Sequence, residues 1–126
     1  MVAGGPMAIG PDVTGLREAD RAHLTMYVGG MGAKGANFYN RVVSEYGWAA
    51  EAEKVQDLYL AGHRAEAAAA LPDDLLEATS LIGDAAYVRD RLQAFVEQGV
   101  TVLQVAPAGP QPLDDLRALA EIVHGL

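Results

Sequence analysis

The sequence predicts an α/β fold built from strand–helix repeats, with more helix than strand. Three observations carry that prediction. From Thr79 onward, an apolar run, an amphipathic stretch, a β-branched run and a second amphipathic stretch follow one another, with Gly, Pro or Asp at each boundary. About a dozen residues separate the two strand-like runs, as a crossover between parallel strands requires. Ahead of Thr79, apart from a short apolar opening, the apolar residues recur at helical period.

Taken in order, Val2 to Ile9 is small and apolar but interrupted by Gly4, Gly5 and Pro6, so only Met7 to Ile9 is predicted as a strand, ending at Gly10-Pro11-Asp12. Thr14 is placed to cap the next helix, and Leu16, Ala19, His23, Met26 and Tyr27 predict that helix from about Gly15 to Val28. The run Gly29-Gly30-Met31-Gly32-Ala33-Lys34-Gly35 predicts a turn, because glycine makes helix continuation costly and left-handed caps easy. Asn37 then caps a helix through Tyr46, with Phe38, Val42 and Tyr46 on one face and Gly47 as its stop. Trp48, Ala52, Val55 and Tyr59 continue the helical period to Gly62, an alanine-rich helix spans Arg64 to Ala70, and Pro72 suits the first turn of one more short helix.

Thr79 to Ile82 reads as a strand broken by Gly83, with Asp84 as the next cap. Val88, Leu92, Phe95 and Val96 mark a helix ending at Gly99, and the β-branched Val100 to Val105 predicts a buried strand. After the loop Ala106 to Pro112, the last helix carries Leu116, Leu119, Ala120 and Val123, with Asp114 and Asp115 in its first turn and His124 in its last, as the helix dipole favours. Three short strands do not make a well-covered parallel sheet, so the chain reads as part of something larger.

Composition narrows the function. The 126 residues carry 9 Lys+Arg against 17 Asp+Glu, a net charge of −8, with 51% hydrophobic residues and no cysteine, as expected of one acidic globular domain. An acidic balance without a basic run argues against nucleic acid as a partner. The lack of cysteine excludes disulfides, thiolate zinc sites and a cysteine nucleophile, and suits a reducing cytoplasm. The longest apolar stretch, around Ala67 to Leu71, falls far short of the roughly 20 residues that cross a bilayer. Met1 to Gly10 has neither the basic start nor the cleavage site of a signal peptide, so the expected location is cytoplasmic.

Two stretches carry a more specific message: Tyr27-Val28-Gly29-Gly30-Met31-Gly32-Ala33-Lys34-Gly35-Ala36-Asn37-Phe38-Tyr39-Asn40 and Gln56-Asp57-Leu58-Tyr59-Leu60-Ala61-Gly62. Both resemble the C-terminal third of actinobacterial luciferase-like monooxygenase family proteins, oxidoreductases that use the deazaflavin coenzyme F420 (or FMN). Ser80-Leu81-Ile82-Gly83, Gly99-Val100-Thr101 and the strand exit Leu103 to Pro107 are similar to that family's last two βα units. The resemblance implies the C-terminal part of a TIM (β/α)8 barrel, a fold of about 250 residues. On it, residues 1–28 supply a strand and helix, 29–78 a helical insertion, and 79–126 the last two βα units. It also implies hydride transfer to or from an organic small-molecule substrate. The reaction site in that family is shaped mainly by earlier strands, including a strained peptide under the deazaflavin ring, so the catalytic residues are expected outside this sequence and the chain alone is expected to be inactive. A homodimer or a separate N-terminal half-barrel is the partner such a half-barrel would need; the competing expectation is a non-catalytic assembly module that pairs through its open sheet edges.

In a barrel the chemistry sits at the carboxyl ends of the strands, which selects the loops Gly10 to Thr14, Gly83 to Asp84 and Pro107 to Pro112. The candidate coenzyme-pocket edge is therefore Gly10, Asp12, Gly83, Asp84, Pro107 and Gly109. Plain structural roles compete at each: helix caps for Asp12, Thr14 and Asp84, a strand exit for Gly83, stiffening for the prolines. Gly30 to Gly35 fits the dinucleotide pattern G-x-G-x-x-G, but a helix rather than a strand precedes it, so a cap and turn is the better reading, with Lys34 as an anion contact the alternative. His23, His63 and His124 lie on separate helices or at their ends without H-x-x-x-H spacing, and no metal site is expected. The pairs Asp73-Asp74 and Asp114-Asp115 are adjacent and point apart, as first-turn helix acids do. Trp48, Tyr59, Phe38, Tyr39 and Tyr46 are expected to form a local aromatic core rather than a lid.

Overall fold

The structure, a computed structural model, describes all 126 residues, which divide into two units: Met1–Ala19 with Glu77–Leu126, and Asp20–Leu76. The first is the α/β unit. Its strands β1 (Val2–Ile9), β2 (Leu81–Gly83) and β3 (Val102–Pro107) form one all-parallel sheet in the order β2-β1-β3. Two helices pack on it, α6 (Ala85–Glu97) and α7 (Pro112–His124), burying Met7, Leu81, Val88, Leu92, Leu119 and Ile122 against half-buried Ile9, Phe95, Leu103 and Val105.

β1 is longer than the predicted Met7–Ile9, because Gly4, Gly5 and Pro6 lie inside it rather than ahead of it. Val2 to Met7 run in register with Val102 to Pro107. At Gly4, with φ of 147°, an added β-carbon would fall 1.7 Å from the Gln104 carbonyl oxygen, so glycine here lets the β3 backbone approach. β3 is shifted from the predicted Val100–Val105, and it is not a buried strand. Only Leu103 and Val105 are half-buried, while Val102, Gln104, Ala106 and Pro107 are exposed, since this strand lies at the sheet edge with one face covered. A barrel arc would pair its three strands in chain order; here β1 is central and pairs with both others.

The second unit is helical: α1 (Arg21–Gly30), α2 (Phe38–Val43), α3 (Ala49–Leu60), α4 (Arg64–Ala70) and the start of α5 (Asp73–Ala78). Its core is Val28, Ala52, Val55, Ala67, Leu71, Leu75 and Leu76. The predicted helix Gly15–Val28 divides at Asp20. Thr14 to Asp20 is a tight 3₁₀ turn closed by Leu16 N–H to the Val13 carbonyl, and α1 belongs with the helical unit. Arg21 anchors its start, donating to the carbonyls of Ala68 and Leu71 at 3.0 and 2.5 Å and pairing with Asp73.

Gly29 and Gly30 are not the turn they were expected to be but the last residues of α1. A β-carbon at Gly29 would lie 2.6 Å from Tyr59 Cβ, so the glycines admit α3 at close range. Asn37 caps α2 as predicted, accepting from Asn40 N–H at 3.1 Å. The helix ends early, at Val43; a π-helical turn, Ser44–Trp48, with Gly47 at φ of 111°, carries the chain directly into α3 instead of stopping it. α2 buries none of its residues, and the aromatic core is correspondingly smaller than expected. Trp48 and Tyr59 pack against the core, whereas Phe38, Tyr39 and Tyr46 are 58%, 41% and 77% exposed.

Candidate active site at the carboxyl ends of the strands

Open α/β sheets bind ligands beyond the carboxyl ends of their strands, and at that end of β1 the structure has a cleft of about 220 Å³. Ile9, Gly10, Pro11, Asp12 and Val13 form one wall; Pro110, Gln111 and Asp115 form the other. β1 delivers the first set because Ile9 and Gly83 are paired in register and Gly10 N–H donates to the Gly83 carbonyl at 3.1 Å. β3 delivers the second through Ala108 N–H to the Met7 carbonyl at 2.8 Å, after which the chain turns into α7.

Asp115 joins the two walls. It is 8% exposed, and its Oδ1 accepts from Ile9 N–H at 3.3 Å. Its Oδ2 stands 2.7 Å from where a Gly109 β-carbon would be, so Gly109 is glycine because the carboxylate fills its side-chain space. Sequence reasoning missed Asp115 because it took Leu116, Leu119, Ala120 and Val123 as the buried face; the face that packs is Asp115, Leu119 and Ile122, at helical spacing, while Leu116, Ala120 and Val123 are exposed.

Of the predicted pocket-edge residues, Gly10 and Asp12 line the cleft and Gly109 backs Asp115. The other three lie elsewhere along the same strand ends. Asp84 caps α6, accepting from Tyr87 N–H at 2.8 Å. Gly83 is buried beneath Tyr87, whose Cδ1 lies 2.5 Å from a β-carbon placed there. Pro107 closes β3 and is exposed. At the end of β2, Arg17 donates to the Ile82 carbonyl from Nε (3.0 Å) and a terminal nitrogen (2.5 Å), lies over the Tyr87 ring and pairs with Glu77 at 3.5 Å. Sequence reasoning passed over Arg17 as well.

In the helical unit, Lys34 is held by Asp57 at 2.5 Å and Glu53 at 3.9 Å, so the anion-contact alternative gives way to an intramolecular ion pair. The hydrogen bond to Asp57 raises the Lys34 pKa; desolvation opposes the shift, and the charges of Asp57 and Glu53 assist it. No group of three or more His, Cys, Asp or Glu side chains stands close enough to share a metal ion.

The family model for luciferase-like monooxygenases matches residues 2–102, across β1, the helical unit and β2 to the first residue of β3. The chain belongs to the luciferase-like monooxygenase family. A Mycobacterium tuberculosis protein provisionally named a coenzyme F420-dependent oxidoreductase is 33% identical over 96 residues, 76% of this chain. The chain spans 28% of the length of that relative. No solved structure gives a significant match. No helix is long and apolar enough to cross a membrane.

The cleft does not fit a flavin or deazaflavin by itself. Its volume is below the roughly 300 Å³ at which small-molecule sites begin. Its charged lining residues are two carboxylates, Asp12 and Asp115, with no basic side chain to meet a phosphate-bearing coenzyme.

Proposed function

We propose that this chain is the C-terminal portion of a luciferase-like oxidoreductase that uses coenzyme F420 or FMN to transfer hydride to or from a small organic substrate, and that it is inactive until the rest of the barrel is supplied. The observation that carries the proposal is the cleft beyond β1: it lies at the end of the sheet where barrel chemistry takes place, yet it is too small and too acidic to seat the coenzyme. The family match and the coenzyme in the relative's name support the rest. On this reading Gly10, Asp12 and Gly109 form the chain's share of the pocket edge, and the residues that grip the coenzyme come from the strands ahead of β1.

A chimera tests it. The part of the Mycobacterium tuberculosis relative that precedes the matched stretch is fused ahead of this chain, and F420 and FMN are titrated against both by fluorescence. Micromolar binding by the chimera and none by the chain alone is the expected result; tight binding by the chain alone, or none by either, overturns it.

A second reading, an assembly module in which two copies pair, is favoured by one feature. The outer edge of β3 is open, and beside it Leu92, Phe95, Val96, Val102, Val123 and Leu126 line an apolar cleft of about 270 Å³. Sedimentation velocity decides it: a dimer without coenzyme supports this reading, and a monomer at all concentrations removes it.

A further inference from the structure

The cleft beyond β1 holds a charge that the proposed function does not use. Asp115 is only 8% exposed, and acidic side chains are seldom buried so deeply without a cationic partner. Here it has none. Its Oδ1 accepts from Ile9 N–H, its Oδ2 accepts no hydrogen bond, and neither Asp115 nor Asp12 on the opposite wall forms an ion pair. The cleft lies wholly within the α/β unit, and no Lys, Arg or His lines it. We propose that it binds a primary ammonium group, and that the substrate of the proposed reaction is an amine carrying that group on a short aliphatic stem. The substrate assignment rests on the oxidoreductase reading above.

The lining selects among cations. An ammonium brings three separate N–H donors, which suit acceptors that come singly from Asp115 Oδ2 and the Asp12 carboxylate on two walls. A guanidinium is gripped best by both oxygens of one carboxylate, and at the buried carboxylate Ile9 already takes one of them. Quaternary ammonium groups are held by aromatic faces, and no aromatic residue lines the cleft. No third His, Cys, Asp or Glu joins the two carboxylates to make a metal site. Ile9, Pro11, Val13 and Pro110 supply apolar wall for the stem, and about 220 Å³ limits its length.

The test is a titration of the chain, at low salt and neutral pH and without coenzyme, with n-butylamine, which is protonated there. Two-dimensional amide NMR is the readout, and n-butanol and butyrate are controls with the same stem. The expected result is saturable shifts centred on the amides of Ile9, Gly10, Gln111 and Asp115, an affinity at least about tenfold above that of butanol, and no binding of butyrate. Asp115→Asn, which keeps an acceptor for Ile9 N–H, should weaken amine binding about tenfold while the spectrum stays dispersed. Asp114→Asn, on the exposed neighbour, should leave it unchanged. Shifts that scatter over the acidic surface, an equal response to butanol, or full amine affinity in Asp115→Asn overturns the ammonium site. Because no coenzyme is present, the outcome separates from that of the chimera. A chain that ignores the amine beside a chimera that binds coenzyme removes the ammonium site and leaves the oxidoreductase reading standing; a chain that binds the amine beside a chimera that binds no coenzyme removes the substrate assignment.

Discussion

Gly29 shows how a single missing methyl group positions two helices. Tyr59 Cβ and Cγ lie 2.6 and 2.8 Å from where its β-carbon would be, and these atoms are fixed to the α3 backbone. Gly29→Ala gains up to about 1 kcal/mol of helix propensity but overpacks the contact, which costs about 1–3 kcal/mol. The expected net effect is destabilisation in urea unfolding, and the penalty shrinks when Tyr59→Ala is made in the same chain. Asn37 acts by hydrogen bonding: it caps α2 with its oxygen, and its nitrogen donates to the Tyr27 and Val28 carbonyls, both at 3.0 Å. Asn37→Ala should cost about 1–3 kcal/mol from the lost cap and the lost bond to the Tyr27 carbonyl, the Val28 carbonyl keeping its second donor, Asn40 Nδ2, at 3.0 Å. Asn37→Asp keeps the cap oxygen but faces those carbonyls with an acceptor, so at neutral pH it should not restore stability. Lys34 adds a pH dependence. Its folded pKa lies above the usual 10.5, so its contribution is full below 10.5 and is lost as pH rises through the folded value. The difference in unfolding midpoint between the chain and Lys34→Gln should therefore vanish in strongly alkaline buffer, and it should shrink in high salt because the pair is exposed.

Between elements, Asp115 is the connection that matters most to the candidate site, since it ties the start of α7 to the end of β1. Asp115→Ala leaves the Ile9 N–H without its partner, at a cost of about 1–3 kcal/mol. Asp115→Asn keeps an oxygen for that N–H and loses only the charge near the helix N-terminus, about 0.3–1 kcal/mol. Chemical denaturation of the two variants separates these contributions; equal losses would mean the hydrogen bond contributes nothing. Asn37 and Asp84 could be picked out from sequence because a cap bonds a backbone N–H three residues away, within one turn. The bond that Asp115 accepts could not, because its partner lies 106 residues away.

At the level of the chain, the two units differ in how they are closed. Residues 20–76 are contiguous and have their own core of seven buried apolar residues. Expressed alone, this segment should retain helical circular dichroism with a low unfolding midpoint, because so small a domain buries a limited share of its surface. A random-coil spectrum would show that it needs the flanking unit. The α/β unit is assembled from both ends of the chain, and its sheet exists only when β1 meets register partners 74 and 100 residues later.

The features legible in the linear chain are local: the caps at Asn37 and Asp84, the helical period, the strand–helix alternation after Thr79, and the family-specific strings between Tyr27 and Gly62. They depend on φ/ψ preference and on hydrogen bonds a few residues long, which a linear reading can see. Long-range packing set the rest. Gly4 and Gly29 look like breakers but sit inside regular elements, because a partner backbone or ring comes close. Phe38 and Tyr46 have helical spacing but are exposed, because α2 buries none of its residues and Tyr46 lies on the π-helical turn Ser44–Trp48 rather than on a helix face packed against the core. The order β2-β1-β3, and with it the cleft beyond β1, depends on which distant strand reaches a free edge, and no local preference encodes that choice.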